Sequence, residues 1–266
     1  MSTLFARRNR AALVLPALIA LSGCDLAMAD LKAKETAEWR KTYQLQPGGR
    51  VEINNVNGRI TVEPSANNTL EVVAIKTARG ATSESAKESL ARVEIREETT
   101  ASGVKIETKV ERGRGLFNHS GAEVAYTVRM PAGADARFNT VNGGIEVERV
   151  KGRLSFETVN GGIVGRDLDA GVLEATTVNG GIDIDLTRMP DSGVKLGCTN
   201  GGIKLRLPAD AKADISASVA NGGIDAEGLP VDATEKSRRR FEGRMNGGGP
   251  RVQISGTNGG IRIAAR

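Results

Sequence analysis

Asp183 and Asp185, followed one repeat later by Lys204 and Arg206, are the residues of this 266-residue chain best placed for catalysis. Paired carboxylates beside a cation are the equipment of polysaccharide lyases and glycoside hydrolases. The same four residues belong to a longer series in which acidic and basic positions alternate along the chain. A surface ion-pair ladder accounts for the whole series, catalysis for one member of it. His119, the single histidine, stands beside Ser120 in a glycine-rich stretch. Adjacency in sequence does not make a base face a nucleophile, and no second His or Cys lies at metal-ligand spacing. Cys198 falls on an inward position of the surrounding alternation and reads as a buried small hydrophobe. Lys236 and the run Ser237-Arg238-Arg239-Arg240 could meet anionic lipid or polysaccharide. No catalytic residue, cofactor or metal is expected, and glycines with no helix after them make no phosphate-binding loop.

The elements that would position these residues come from one recurring motif. It reads VNGRI at 56–60, VNGGI at 141, 159 and 178, TNGGI at 199, ANGGI at 220 and TNGGI at 257. Its asparagines are Asn57, Asn142, Asn160, Asn179, Asn200, Asn221 and Asn258, and from Asn142 to Asn221 they step by 18, 19, 21 and 21 residues. Such a period points to a solenoid. Before each Asn, mostly apolar residues recur at every second position, as in Leu154, Phe156, Thr158 and Val194, Leu196, Cys198. After it the alternation resumes, as in Ile145, Val147 and Ile203, Leu205. Each coil of about 20 residues therefore holds two strands joined at Asn-Gly, whose residues tolerate a left-handed backbone. An antiparallel meander would also suit Asn-Gly turns. The outward residues four and six places after each Asn choose between them: Glu146 and Glu148, Arg166, Asp183 and Asp185, Lys204 and Arg206, Asp225 and Glu227, then Arg262. In a parallel solenoid these positions lie about 4.8 Å apart and opposite charges touch; in a meander they lie about 10 Å apart. The expected fold is all-β, a parallel β-helix-like solenoid with coils stacked in chain order and the seven Asn amides bonded along the axis.

Other segments are less regular. Leu70–Lys76, Glu94–Glu98, Val104–Val110 and Val124–Met130 read as strands, and Ser83–Val93 as one short inserted helix capped by Ser83, with Ala86, Leu90 and Val93 on one face. The regular repeats occupy 138–227 and 251–263. Arg112–Gly121 and Leu229–Pro250 should leave the solenoid as inserted loops. At the N-terminus Arg7, Arg8 and Arg10 precede eleven uncharged apolar residues, Ala11–Leu21, too few to span a bilayer at about 20 per helix. Leu21-Ser22-Gly23-Cys24 follows, which looks like a lipoprotein cleavage and lipidation site; ordinary cleavage after Ala27-Met28-Ala29 is the alternative. Residues 1–23 then form a lipoprotein signal peptide, 24–38 a tether or short helix, and 39–266 the solenoid. Loss of the three Arg of the signal leaves 34 of 37 basic residues against 32 acidic ones, a net of +2, so nucleic acid is not implied.

Repeated VNGGI units behind such a signal, with PGGRVEINNVNGRITVEP at the entry and VRMPAGADARFNTVNGGIEV further on, resemble the bacterial putative adhesin family. That resemblance covers roughly residues 39–266. It implies a β-helix-like envelope domain of unknown function, related to the auto-transporter adhesin head domain. Members commonly carry Asp where this chain has the second Gly of the motif. The combined expectation is a non-enzymatic envelope lipoprotein, anchored to a membrane through Cys24 and facing the periplasm or cell surface. It would act as a binding, adhesion or scaffold element toward an envelope polysaccharide or protein. The alternatives are a carbohydrate-active β-helix enzyme and an envelope-stress signalling partner.

Overall fold

Twenty strands and one helix make up the computed structural model, which describes residues 33–111, 121–226 and 228–266, and apolar and polar residues alternate along most of the strands. In chain order the strands begin with β1 (Ala33–Gln44), β2 (Arg50–Asn54), β3 (Ile60–Ser65) and β4 (Thr69–Gly80). Helix α1 (Ser83–Ala91) follows, then β5 (Val93–Thr100), β6 (Gly103–Val110), β7 (Glu123–Pro131), β8 (Asp135–Asn142), β9 (Ile145–Glu148) and β10 (Lys151–Asn160). Next come β11 (Ile163–Asn179), β12 (Ile182–Leu186), β13 (Val194–Asn200), β14 (Ile203–Leu207), β15 (Ala213–Asn221) and β16 (Ile224–Asp225). The chain ends with β17 (Val231–Lys236), β18 (Arg240–Met245), β19 (Arg251–Asn258) and β20 (Ile261–Ala265).

Strands running into an Asn-Gly corner form one sheet, the entry sheet, in the order β5–β6–β2–β8–β10–β11–β13–β19–β15–β18–β17. Strands leaving the corner form the exit sheet, β1–β4–β7–β3–β9–β11–β12–β14–β20–β16. Pairing is parallel through the body of each sheet, antiparallel at both ends of the entry sheet and antiparallel at the β1–β4–β7 end of the exit sheet. Strand β11 serves both: Ile163–Leu168 lies in the exit sheet and Asp169–Asn179 in the entry sheet, the chain turning at Asp167 with φ 51°. Along the parallel strands of both sheets every second residue points into one shared core. It is built from Val, Ile, Leu and Ala, with Phe138 and Phe156 stacked at 5.9 Å between ring centroids and 6° between planes. A parallel solenoid of two-stranded coils is thus the observed fold, and the strands read in the N-terminal part all occur within a few residues of their expected limits.

Four expectations need correction. Coils 1 to 5 stack in chain order, but the last coil, β19–β20, is inserted between β13–β14 and β15–β16, so Asn258 lies beside Asn200 and Asn221 beyond it. Period-two alternation specifies a coil without specifying its neighbour, and this coil covers apolar surface on both sides. Leu229–Pro250 is no loose loop: β17 and β18 form an antiparallel hairpin, and β18 covers the otherwise open edge of β15. Residues 33–38 of the supposed tether belong to β1, which pairs along its whole length with β4 because its Ala, Trp and Tyr alternate with polar residues; residues 24–32 lie outside the described residues. The helix ends at Ala91 and Val93 begins β5, while Thr82 rather than Ser83 is the cap. Thr82 Oγ1 accepts from Ser85 N at 3.2 Å and Ser85 Oγ accepts from Thr82 N at 3.4 Å, a reciprocal capping box. Of the stretch Arg112–Gly121, residues 112–120 lie outside the described residues.

Candidate functional site

Three rows of side chains, each repeated once per coil, define the surfaces on which any activity must rest. The first is the corner. Seven asparagines form one chain of amide hydrogen bonds: Asn142 donates to Asn57 (2.8 Å), Asn160 to Asn142 (2.7 Å), Asn179 to Asn160 (2.8 Å) and Asn200 to Asn179 (2.9 Å). The ladder continues as Asn258 to Asn200 (2.8 Å) and Asn221 to Asn258 (3.0 Å), with Asn57 donating to the Ala122 carbonyl at 3.2 Å. The expected amide ladder is present, with its last two members in exchanged order. The degenerate Asn246 stands outside it and donates instead to the carbonyls of Ala209 (3.0 Å) and Ala211 (2.8 Å).

The first glycine after each Asn lets neighbouring corners approach backbone to backbone. A Cβ on Gly161 would stand 1.9 Å from the Gly143 carbonyl oxygen, and one on Gly201 1.9 Å from that of Gly180. The second glycine is less confined, for a Cβ on Gly162 would meet the Gly181 oxygen at 3.4 Å, ordinary contact. In the first motif Arg59 occupies that second position.

A second row, two places before Asn, points inward and is polar in the first five coils, from Asn55 to Cys198, giving way to Val219 and Gly256 in the last two. Thr140, Thr158 and Thr177 donate to the carbonyls of Gly58 (3.3 Å), Gly143 (2.9 Å) and Gly161 (2.9 Å), and the Cys198 thiol to Gly180 (3.1 Å). These carbonyls would otherwise be buried where the chain bends. Cys198 is a buried free thiol whose pKa burial raises, so it sits protonated as a donor. The recurrence of Thr at this register was visible in the sequence as an interruption of the apolar row, but its role depends on where the neighbouring glycine carbonyl points.

The third row is the outer face of the exit sheet. Asp183 is held between Arg166 (3.1 Å) on one neighbouring coil and Arg206 (2.8 Å) on the other. Partial burial pushes its pKa up, and the two guanidinium hydrogen bonds outweigh this, leaving the carboxyl below its ordinary value. Asp185 lies 3.4 Å from Arg266, which also reaches Asp167. Glu146 pairs with Arg59 (3.6 Å) and Asp225 with Arg262 (2.8 Å). At the far corner Asp169 is pulled below its usual range by Arg188 (2.8 Å) and then by Lys151 (3.3 Å), a three-coil bridge that the motif spacing did not reveal. The alternation fails at one place. The inserted coil sets Arg262 directly beside Lys204, so Lys204 and Arg206 do not meet Asp225, and Glu227 is outside the described residues.

Of the basic run, Lys236 closes β17 and Arg240 opens β18, while Arg238 and Arg239 form the turn. Their side chains are exposed, but the turn itself is fixed: Ile224 N donates to the Arg238 carbonyl (3.1 Å) and Val219 N to that of Arg239 (2.9 Å). Arg240 lies 3.9 Å from both Glu235 and Glu242. Cys24, His119 and Ser120 lie outside the described residues. Among the described residues no group of three or more His, Cys, Asp or Glu side chains gathers as a metal site, and no helix is long and apolar enough to cross a membrane.

A family model described as Toastrack DUF4097 matches residues 46–264. The chain belongs to this family. Among solved structures this Toastrack chain is similar to a putative cell adhesion protein from Clostridium sporogenes, with 13% identity over 87% of this chain and 100% of that one and a TM-score of 0.48. It is also similar to a putative adhesin from Bacteroides fragilis (10% identity, 86% and 97% covered, TM-score 0.33). A third is a putative lipid binding protein from Parabacteroides distasonis (12% identity, 87% and 97% covered, TM-score 0.35). Among curated proteins none matches. The resemblance read from the VNGGI repeats is therefore that of a Toastrack solenoid.

Proposed function

We propose that this Toastrack chain is a non-enzymatic envelope lipoprotein, anchored by a lipid on Cys24, whose solenoid works as a binding, adhesion or scaffold element. The observation that carries the reading is the fate of the best catalytic candidates. Asp183 is clasped by Arg166 and Arg206 and so committed to joining coils, while Asp185, 3.4 Å from Arg266, keeps a buried Oδ1 without a hydrogen bond among the described residues. A general acid needs the opposite environment, one that raises its pKa. What the coils offer is two long flat faces with side chains at a fixed repeat, suited to an extended polymer or a protein partner. The exposed turn Arg238-Arg239, with Lys236 and Arg240 beside it, is the element that would meet an anionic partner.

The anchor is tested by membrane fractionation of Cys24→Ala, which should move the protein to the soluble fraction; a variant that stays with the membranes refutes lipidation. Binding is tested by pull-down from envelope extracts with the intact chain and with Arg238→Glu/Arg239→Glu. The double reversal is preferable to removing 229–250, which would strip β18 from the edge of β15. Loss of a captured polysaccharide or protein in the variant supports the turn as the contact, and unchanged capture removes it. Cleavage of a polysaccharide that disappears in folded Asp183→Asn/Asp185→Asn would overturn the non-enzymatic reading.

A further inference from the structure

Arg50, Arg137 and Arg153 stand on three successive coils of the entry sheet's outer face, on β2, β8 and β10. All three side chains are exposed, and among the described residues none of them forms an ion pair or a side-chain hydrogen bond. The exit face does the opposite, for Arg59, Arg166, Arg206 and Arg262 each find an acid. Register does set carboxylates beside the trio, but they are engaged elsewhere. Asp135 is the register partner of Arg50, yet its Oδ1 accepts from Arg153 N at 2.9 Å, where β10 shifts register between Gly152 and Arg153. Glu52 is the register partner of Arg137, yet its Oε1 accepts from Asn54 Nδ2 at 2.8 Å and lies 3.9 Å from Lys105.

Between these guanidinium groups the surface sinks. Ser155 is the register partner of Arg137 on one side and of Glu174 on the other, so a short side chain lies between two long ones. The result is a hollow of about 170 Å³ lined by the three arginines with Ser155, Asp135 and Glu174. Its chemistry is specific. Guanidinium groups present planar, paired donors that match the oxygens of a carboxylate or a phosphate-like group. Ser155 can donate or accept, and Glu174 offers acceptors alone, which suit hydroxyl groups standing beside the anion. The acids Glu52, Glu157 and Glu174 around the hollow also restrict what can approach. A membrane surface or a densely charged polymer would bring its own negative charges against them. A chain whose charges are spaced by neutral, hydroxyl-rich units would not.

From the unpaired trio, the diverted carboxylates and the hollow between them, we propose that this flank of the solenoid binds an acidic saccharide. Its anionic group sits among Arg50, Arg137 and Arg153, and the hydroxyls beside it donate to Glu174. The site rests on the reading of the solenoid as a binding element, and gives it a ligand class and a place apart from the Arg238-Arg239 turn. Stacked coils hold the three arginines on a fixed frame, so little backbone ordering is lost when the ligand arrives. The groups are exposed, so the attraction weakens as salt is added.

Titration calorimetry on the full chain tests this with two acidic polysaccharides, hyaluronate and chondroitin sulfate, with neutral dextran and with phosphatidylglycerol vesicles. Saturable, salt-sensitive binding of at least one acidic chain is expected, and none of dextran. Arg137→Gln/Arg153→Gln should weaken that binding by roughly tenfold or more, because two charge-assisted contacts are lost. Its melting midpoint should not change, since neither guanidinium holds a contact that the fold uses. Arg238→Glu/Arg239→Glu should leave the binding as it is. Ser155→Glu is a second variant: it sets a carboxylate among the three arginines and should block binding without lowering the melting midpoint. The site is overturned if neither acidic chain binds, if dextran binds equally, or if neither the arginine pair nor Ser155→Glu moves the affinity. Vesicle binding lost in the arginine pair, with no saccharide bound, overturns the ligand class. Affinity that falls only in the turn variant overturns the hollow and leaves the binding reading standing.

Discussion

The Asn-Gly corner and the charged face of the exit sheet are both periodic, yet they tolerate disorder very differently. At the corner all seven asparagines join one ladder, and the inserted coil enters with Asn258 in line and Gly259 over Gly201. On the charged face the same insertion puts Arg262 next to Lys204, and the fold accepts it. The difference is one of magnitude. An exposed ion pair contributes about 0.2–1 kcal/mol, which a single buried aliphatic side chain outweighs. A Cβ forced to within 2 Å of a carbonyl oxygen has no such latitude, because two backbones one rung apart would have to separate. Geometry at the corner thus dictates how closely coils stack, and charge on the face adjusts how well they do.

The widest separation between the two regions should come from the corner glycines. Gly161→Ala is expected to cost about 1–3 kcal/mol, with backbone shifts that weaken the neighbouring rungs, while Gly162→Ala stays within about 0.5 kcal/mol. Urea unfolding of the two variants measures this, and equal losses would break the contrast. Next in size is Thr158→Val, of similar shape but leaving the Gly143 carbonyl without its 2.9 Å donor; a loss of roughly 1–2 kcal/mol is expected in the same assay. Asn160→Ala removes one donated and one accepted ladder bond at an exposed position and should cost about 1 kcal/mol. A negligible effect would make the ladder a consequence of stacking and not a contributor to it.

The smallest effect belongs to the charged face and depends on pH. Asp183 and Asp169 have folded pKa values below their unfolded ones, so the stability they add is present above the ordinary carboxylate value of about 3.9 and is lost as pH falls through the folded value. Asp183→Asn should therefore be less stable than wild type by about 0.2–1 kcal/mol in all at neutral pH. The two proteins should converge in acid. A constant difference across that range would show that the Arg166–Asp183–Arg206 bridge works through packing rather than charge.

Much of this was legible in the residues. Alternation on both sides of Asn-Gly identified two strands per coil and the inward rows, and the fixed register of Asn57 through Asn258 identified the amide ladder. The paired role of Asp183 followed from the sign of the residues one repeat away. Less accessible were features that depend on what lies across a contact. Ala33–Glu38 reads as a polar tether until β4 supplies a partner edge, and Val231–Met245 reads as a loop until β15 needs covering. The donors Thr140, Thr158 and Thr177 look like weak apolar positions until the glycine carbonyls above them are seen.

By itself the amino-acid sequence determined the coil: its length, its corner, and which face of each strand is buried, because these follow from local backbone preference and period-two burial. Only the tertiary structure decided the order in which coils stack, for every coil carries the same pattern and offers its neighbour the same hydrogen bonds. Shape at contacts between residues far apart in the chain, such as Gly256 against Val219 and Gly193 against Arg251, comes into play only once the coils are stacked.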